Sequence, residues 1–279
     1  MKVVTLNSHR SVNRGSFEIV QITDCHLGGA PGDCLLGLNT DESLRDVLEQ
    51  ARAHTKPNLL LATGDISGDG SFASYQRFLS ITKQYFPDVP LAWLPGNHDE
   101  LDNMVLASRD VAGNTPIERV FRTSNWNLLF LDSTVPEEDG GEINPSELKR
   151  LESELSQHPD VPTLIFLHHQ PVAVGSAWVD SYIVKNHREF FRVIDKFDNV
   201  KGISWGHVHQ EFYVERKGVP LMASPSTCVQ FAPNVDYFKI DNRMPGYRNY
   251  RLNSNGTFAT DTCRVQDKSY NIDYSSTGY

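Results

Sequence analysis

The feature that most constrains this chain is a repeated alternation of short apolar runs with segments whose apolar residues recur at helical spacing. Residues 17–22, 58–62, 91–94, 127–131 and 163–167 are such runs, with a shorter one at 203–205. Their length and their Leu, Ile and Phe content fit strands buried on both faces better than helices. Between them, residues 40–54 carry Leu44, Val47, Leu48 and Ala51 on one helical face, and residues 71–86 carry Phe72, Tyr75, Phe78 and Leu79. A third helix, 145–156, has Asn144 as N-cap, Pro145 at its first position and Glu147 at its third. Residues 186–197 form the last. After Gly206 the texture changes to period-two segments broken by Gly and Pro, at 211–216, 219–223, 237–240, 247–252 and 257–265. Strand–helix alternation followed by a strand-rich part predicts an α/β fold of two packed β-sheets flanked by helices.

Length and charge narrow the function. With 279 residues, 39% hydrophobic and 22% charged, the chain can bury a large core, and with no repeat, low-complexity segment or linker it is expected to form a single domain over 1–279. Residues 1–16 are a polar N-terminal extension without the apolar core of a signal peptide, and 266–279 are expected to be a surface tail. The formal charge of −9 argues against nucleic acid as a partner. No run of five like charges and no 18-residue apolar stretch suggests a membrane. No protein partner can be inferred. Cys25, Cys34, Cys228 and Cys263 contain no Cys-x-x-Cys pair, so free thiols in a reducing cytoplasm are expected.

The unusual residues fall where five of the runs end. Residues 17–22 lead into Asp24-Cys25-His26, 58–62 into Gly64-Asp65, and 91–94 into Gly96-Asn97-His98-Asp99. Residues 163–167 lead into His168-His169, and 203–205 into Gly206-His207-Val208-His209. Taken singly, most of these have bland readings: Gly-Asp is a turn, Asp-x-His a polar loop start, and one of two adjacent His a buried hydrogen-bonded ring. Alternate His residues in an extended segment share a face, which already favours ligands. Ligands bind beyond the carboxyl ends of strands in sheets with crossover helices, so five such ends pooling Asp, Asn and His describe a metal site. The mixed oxygen and imidazole set exceeds a closed four-ligand zinc site and implies two cations sharing a bridging carboxylate. Two metals about 3.5–4 Å apart can clamp the attacking and leaving oxygens of a phosphorus centre. Two divalent ions with Asp24 and Asp65 leave a net charge of about +2, so an acidic protein can still hold an anion. Asp69 and Asp132 are assigned to turns or caps, and Asp99 to capping the next helix in preference to orienting His98. Trp178 could stack on a base, although a core or surface role is preferred.

Asp-x-His, Gly-Asp, Gly-Asn-His-Asp, His and Gly-His-x-His, in this order, resemble the calcineurin-like metallophosphoesterases. "QITDCHL", "ATGDIS", "WLPGNHD", "LLFLDS", "LHHQP" and "SPSTCVQF" are most similar to the bacterial class III cyclic-nucleotide phosphodiesterases, in their gamma-proteobacterial branch. The resemblance implies a four-layer αββα metallophosphoesterase sandwich and a cyclic nucleotide as small-molecule partner. It also implies that Asp24, His26, Asp65 and His209 hold one metal, and Asp65, Asn97, His168 and His207 a second. Asn97 and His98 would face the substrate, and His169 would stand behind the ligands. Cys25 is the weakest ligand candidate, since its side chain should face away from Asp24 and His26. The implied reaction opens 3′,5′-cyclic AMP to 5′-AMP by a hydroxide that two metals activate, with His98 as general acid. Iron or manganese is the expected metal, with zinc also compatible. Two alternatives stand beside it: another small phosphodiester or phosphomonoester as substrate, or a scaffold of this fold without its chemistry.

Overall fold

The computed structural model describes residues 4–5, 15–110 and 119–278. The first elements are β1 (Val4–Thr5), β2 (Ser16–Ile22), β3 (Cys34–Leu35), β4 (Leu38–Asn39), α1 (Thr40–His54), β5 (Leu59–Thr63) and α2 (Phe72–Tyr85). There follow β6 (Leu91–Leu94), α3 (Leu101–Asp110), β7 (Val120–Arg122), β8 (Asn127–Phe130), α4 (Pro145–Gln157), β9 (Thr163–Phe166), α5 (Ala177–Asp180) and α6 (His187–Ile194). The chain ends with β10 (Val200–Trp205), β11 (Phe212–Arg216), β12 (Val219–Ala223), β13 (Gln230–Phe231), β14 (Ile240–Asp241), β15 (Gly246–Asn253) and β16 (Phe258–Arg264).

These strands build a five-stranded sheet in the order β16-β15-β2-β5-β6 and a seven-stranded sheet in the order β1-β7-β8-β9-β10-β12-β11. In the first, β2, β5 and β6 run parallel, while β15 lies antiparallel beside β2. The C-terminal hairpin thus completes the sheet that the N-terminal half begins. In the second, β8, β9, β10 and β12 are parallel. The period-two rule explains the layers, because neighbouring residues of one strand enter different cores. Ile19, Leu59, Leu61, Ala92 and Leu94 meet Leu128, Phe130, Leu164, Phe166 and Met222 between the sheets. The alternate residues Val20, Ile22, Leu60, Ala62 and Trp93 pack outward under α1, α2 and α3. Ile165, Leu167, Ile203 and Trp205 pack under α4 and α6 on the opposite side. The result is an αββα sandwich, the fold class expected from the sequence.

The helix signals hold locally. Asn39 caps α1 by accepting from the Glu42 N–H, and Asn144 caps α4 by accepting from Ser146 with Pro145 in the first turn. The differences have physical causes. Among the helices, α3 and α5 fall outside the predicted set: α5 is a single turn, and α3 leaves Leu101 and Leu106 exposed, which weakens its apolar spacing. Strand β10 starts three residues before 203, because Lys201 and Gly202 interrupt the apolar run and the register to β9 shifts there. Of 237–240, only Ile240 is in a strand.

Of the N-terminal extension, residues 1–3 and 6–14 lie outside the described residues. At the other end, residues 266–278 run across the surface near α1. Tyr270 donates to Asp46 at 2.9 Å, Lys268 pairs with the same carboxylate, and the Asp273 N–H donates to the Leu36 carbonyl.

Candidate metal centre

The parallel strands β2, β5 and β6 of one sheet and β9 and β10 of the other end at a common rim, and their following loops are hydrogen-bonded together. The Asp24 N–H donates to the Gly64 carbonyl at 3.0 Å, the His26 N–H to Asp65 at 3.0 Å, and the Gly206 N–H to His168 at 3.1 Å. All eight residues singled out in the sequence lie at this rim. Five of them (Asp24, His26, Asp65, His207 and His209) have positive φ between 47° and 63°. Left-handed backbone is uncommon for residues with a Cβ, and such strain collects where the surroundings impose it for function. It lets each strand turn sharply and aim its side chain back across the rim. Two glycines keep the loops close: at Gly64, φ is +93°, and a Cβ there would run into the His168 ring. A Cβ at Gly96 would strike the Asp65 carboxylate and lie 2.7 Å from His168 Nε2.

The side chains converge as two sets sharing Asp65. His26 Nε2 and His209 Nε2 are 3.1 Å apart, and His209 Nε2 is 3.4 Å from Asp24 Oδ1. His168 Nε2 lies 3.2 Å from Asn97 Oδ1 and 3.3 Å from Asp65 Oδ2. The same Asp65 oxygen is 3.8 Å from His26 Nε2, so it reaches toward both sets. Backbone carbonyls fix the tautomers, since a carbonyl can only accept. His209 Nδ1–H donates to Val229 O at 2.8 Å and His168 Nδ1–H to Thr63 O at 2.8 Å, which turns each Nε2 inward. His207 enters differently. Its backbone N–H donates to both Asp24 oxygens, at 3.0 and 3.1 Å, and its buried Nε2 has no hydrogen-bond partner among the described residues.

The electrostatics suit cation binding. Burial holds His26 and His207 well below the usual imidazole range, so both present neutral rings. Burial opposes charge on Asp65 and on His168 alike, yet their mutual attraction prevails. Asp65 stays well below the ordinary carboxylate range, and His168 rises to about 9. Neutral rings at His26 and His207, an ionised Asp65 and an orphaned buried nitrogen converge with His168, whose proton a metal would displace, as a donor set for divalent or transition metals. Asp24, His26 and His209 bring ligand atoms within 4.8 Å of one another, as do Asp24, Asp65 and His168. The residues fit a metal pair.

The neighbours of these residues differ in part from expectation. The rings of His168, His169 and His207 also cluster. Both His169 nitrogens are occupied, however: Ser133 bonds Nδ1 at 2.9 Å, and Nε2–H donates to Asp139 O at 3.1 Å. Burial and the neighbouring His168 push His169 down to about 3, so it backs the ligand rings as a neutral ring. Cys25 lies in the core under α1 and α2. Asp69 and Asp132 make local turns, accepting from Ser71 and Thr134. Trp178 packs on Phe231 and Phe238, 5.0 and 5.2 Å between ring centroids.

Asp99 neither caps α3 nor orients His98. Its carboxylate accepts from the N–H groups of Gly96 at 2.9 Å, Ile66 at 3.2 Å and Ser67 at 3.0 Å, and from Tyr75 OH at 3.0 Å. It therefore ties the Gly-Asn-His-Asp loop to the Gly-Asp loop. His98, half-buried at the mouth, donates its backbone N–H to Asp65 Oδ1 at 3.0 Å, and its ring stands edge-on to His26 at 5.0 Å. The supports that sequence reading missed are the Thr63 and Val229 carbonyls, which are main-chain atoms without a residue signature.

Comparison with known proteins places these features in context. Residues 17–211 match the family model described as calcineurin-like phosphoesterase. The chain is 42% identical over 279 residues to the 3′,5′-cyclic adenosine monophosphate phosphodiesterase CpdA of Vibrio vulnificus, covering 98% of each chain. It is 41% identical to the protein of the same name from Escherichia coli K12, covering 94% of each. Among solved structures, a dimetal phosphatase from Danio rerio superposes with a TM-score of 0.60 at 14% identity, covering 90% of this chain and 99% of that one. At that identity the likeness concerns the fold.

Proposed function

The chain belongs to the calcineurin-like phosphoesterases, and from that premise we propose that it opens 3′,5′-cyclic AMP to 5′-AMP at the rim where the strands end. Relatives that carry this activity in their names match it at 41–42% identity over 94–98% of its length. The observation that carries the chemistry is Asp65, one oxygen of which lies 3.3 Å from His168 and 3.8 Å from His26. A carboxylate so placed can be shared by two cations. In this reading Asp24, His26, Asp65 and His209 hold one ion, and Asp65, Asn97, His168 and His207 the other. Iron or manganese suits this donor set, and zinc also accepts it. When bound, the pair supplies Lewis-acid stabilisation of phosphoryl charge and a water acidic enough to react at neutral pH.

The chain's own residues do the rest. The Thr63 and Val229 carbonyls hold two imidazoles in the tautomer that offers Nε2. Asp24 fixes the Gly-His-x-His loop through the His207 N–H. His98 contacts the phosphoryl group and gives its proton to the departing ribose 3′ oxygen. Asn97 faces the substrate beside it. Cyclic AMP carries a single negative charge, which the net positive site attracts. The described residues contain no helix long and apolar enough to cross a membrane, and all four cysteines are free. That thiol state suits the reducing cytoplasm, where we place the enzyme.

Turnover of a panel of phosphoesters by manganese-loaded protein tests the reading. Cyclic AMP should be converted, and nitrophenyl diesters should serve as surrogate substrates. Turnover of other phosphoesters with cyclic AMP left intact would keep the family and discard the substrate. A metal content near zero after purification and reconstitution would favour a scaffold without chemistry.

A further inference from the structure

We propose that residues 226–231, the "STCVQF" stretch, are a clamp for one of the two metals, the one assigned to Asp24, His26, Asp65 and His209. This rests on the metal-pair reading above. The stretch lies between β12 and the end of β13 and is buried throughout, each residue at most 2% exposed. It grips two of the four ligands from both main chain and side chain. On the Asp24 loop, Ser226 Oγ–H donates to the Asp24 carbonyl at 2.8 Å, and the Thr227 N–H donates to Thr23 O at 3.0 Å. On His209, the Val229 carbonyl accepts Nδ1–H, and the Phe231 N–H donates to the His209 carbonyl at 3.1 Å. The Phe231 ring lies flat on the His209 imidazole, with centroids 4.2 Å apart and planes 5° from parallel. One segment thus sets the His209 tautomer, limits rotation of its ring, and fixes the loop that carries Asp24.

The clamp is itself braced. Gln230 Nε2 donates to the carbonyls of Ser226 at 2.8 Å and Cys228 at 3.0 Å, and its Oε1 accepts from Arg264 at 3.0 Å. Ser226 Oγ also accepts the Cys228 N–H at 2.7 Å, and Ser43 donates to the Thr227 carbonyl at 2.5 Å. The other ligand set has supports of its own, the Thr63 carbonyl on His168 and Asp99 on the Gly96 N–H, and it meets the clamp through Thr23, which bonds the Thr63 carbonyl, and through Asp24, which accepts the His207 N–H. Groups that orient a ligand commonly contribute 10–100-fold in metal affinity. The clamp touches the first set directly and the second only through these links, so the first affinity should fall by much more.

The test is a Mn²⁺ titration of the chelator-treated full chain, followed by calorimetry and electron paramagnetic resonance, with Phe231→Leu and Ser226→Ala compared to wild type. Wild type should take up two equivalents. Each variant should bind one equivalent roughly 10–100-fold more weakly and the other within about 2-fold of wild type. At intermediate free Mn²⁺ the variants should show an isolated ion where wild type shows a coupled pair. Melting curves of the metal-free proteins establish folding. If Phe231→Leu does not fold, Ser226→Ala, which removes one hydroxyl, carries the test. Both equivalents bound at wild-type affinity, or both weakened equally, would overturn the clamp. A single equivalent in wild type would overturn the metal-pair reading itself.

Discussion

Substituting Asp99 separates a loop tie from a helix cap, and the structure gives the sizes. The half-buried carboxylate accepts four hydrogen bonds, from Gly96, Ile66, Ser67 and Tyr75. Burial and the nearby Asp65 raise Asp99 to about 6 even after these bonds pull it down, so the charge itself stabilises nothing and the bonds do. Asp99→Ala leaves the Gly96, Ile66 and Ser67 N–H groups without this acceptor, and at about 1 kcal/mol each it should cost about 3 kcal/mol. In Asp99→Asn the amide oxygen can keep Gly96 and Ile66 while its NH₂ faces Ser67 and Tyr75, whose hydroxyl can reverse. The loss of the Ser67 bond, about 1 kcal/mol, is then offset by relief of a charge that burial and Asp65 oppose, for a net change near zero. At about 2–4 °C per kcal/mol for a chain of this size, metal-free Asp99→Ala should melt roughly 6–12 °C lower and Asp99→Asn within a few degrees of wild type. A helix cap would cost about 1 kcal/mol in the Ala variant. A fall of only 2–4 °C in Asp99→Ala, with second-metal affinity unchanged, would refute the tie.

Other perturbations test single assignments. His98→Ala should keep both metals and lose roughly 10²–10⁴ in turnover of cyclic AMP, but much less with a nitrophenolate leaving group that needs no proton. Metal analysis showing that the variant loses an ion would remove His98 from that role. Asp65→Ala should release more metal than any other single ligand change, because both ligand sets share it; equal loss from His26→Ala would contradict the sharing. Thiol labelling of the native protein at pH 8 should modify exposed Cys34 first. Cys228, which burial pushes up to about 12, and Cys25, which burial pushes higher still, should react only on unfolding.

What could be read from the residues follows a physical division. Strands 58–62 and 163–167 were legible because residues buried on both faces leave continuous apolar runs, 17–22 because Ile19, Val20 and Ile22 keep it largely apolar, and the ligand motifs stood out because they end those runs. Helix α3 was not, since Leu101 and Leu106 face solvent and blur its spacing. The role of Asp99 needed the third dimension, as its partners Ile66, Ser67 and Tyr75 come from another loop and another helix. The left-handed backbone at Asp24 and His209 leaves no mark where glycine is absent. The second His of 168–169 was separable from the first by resemblance, while the physical reason, its ties to Ser133 and Asp139, lies in tertiary contacts.

The most direct test of the central claim follows 3′,5′-cyclic AMP by phosphorus NMR with the same protein preparation, first stripped by a chelator and then reconstituted with Mn²⁺. The stripped protein should leave the ring intact, and the reconstituted protein should convert it to 5′-AMP with the phosphate still esterified. Persistence of the cyclic ester under conditions that turn over a nitrophenyl diester would contradict the substrate, and full conversion with metal verified absent would contradict the metal centre.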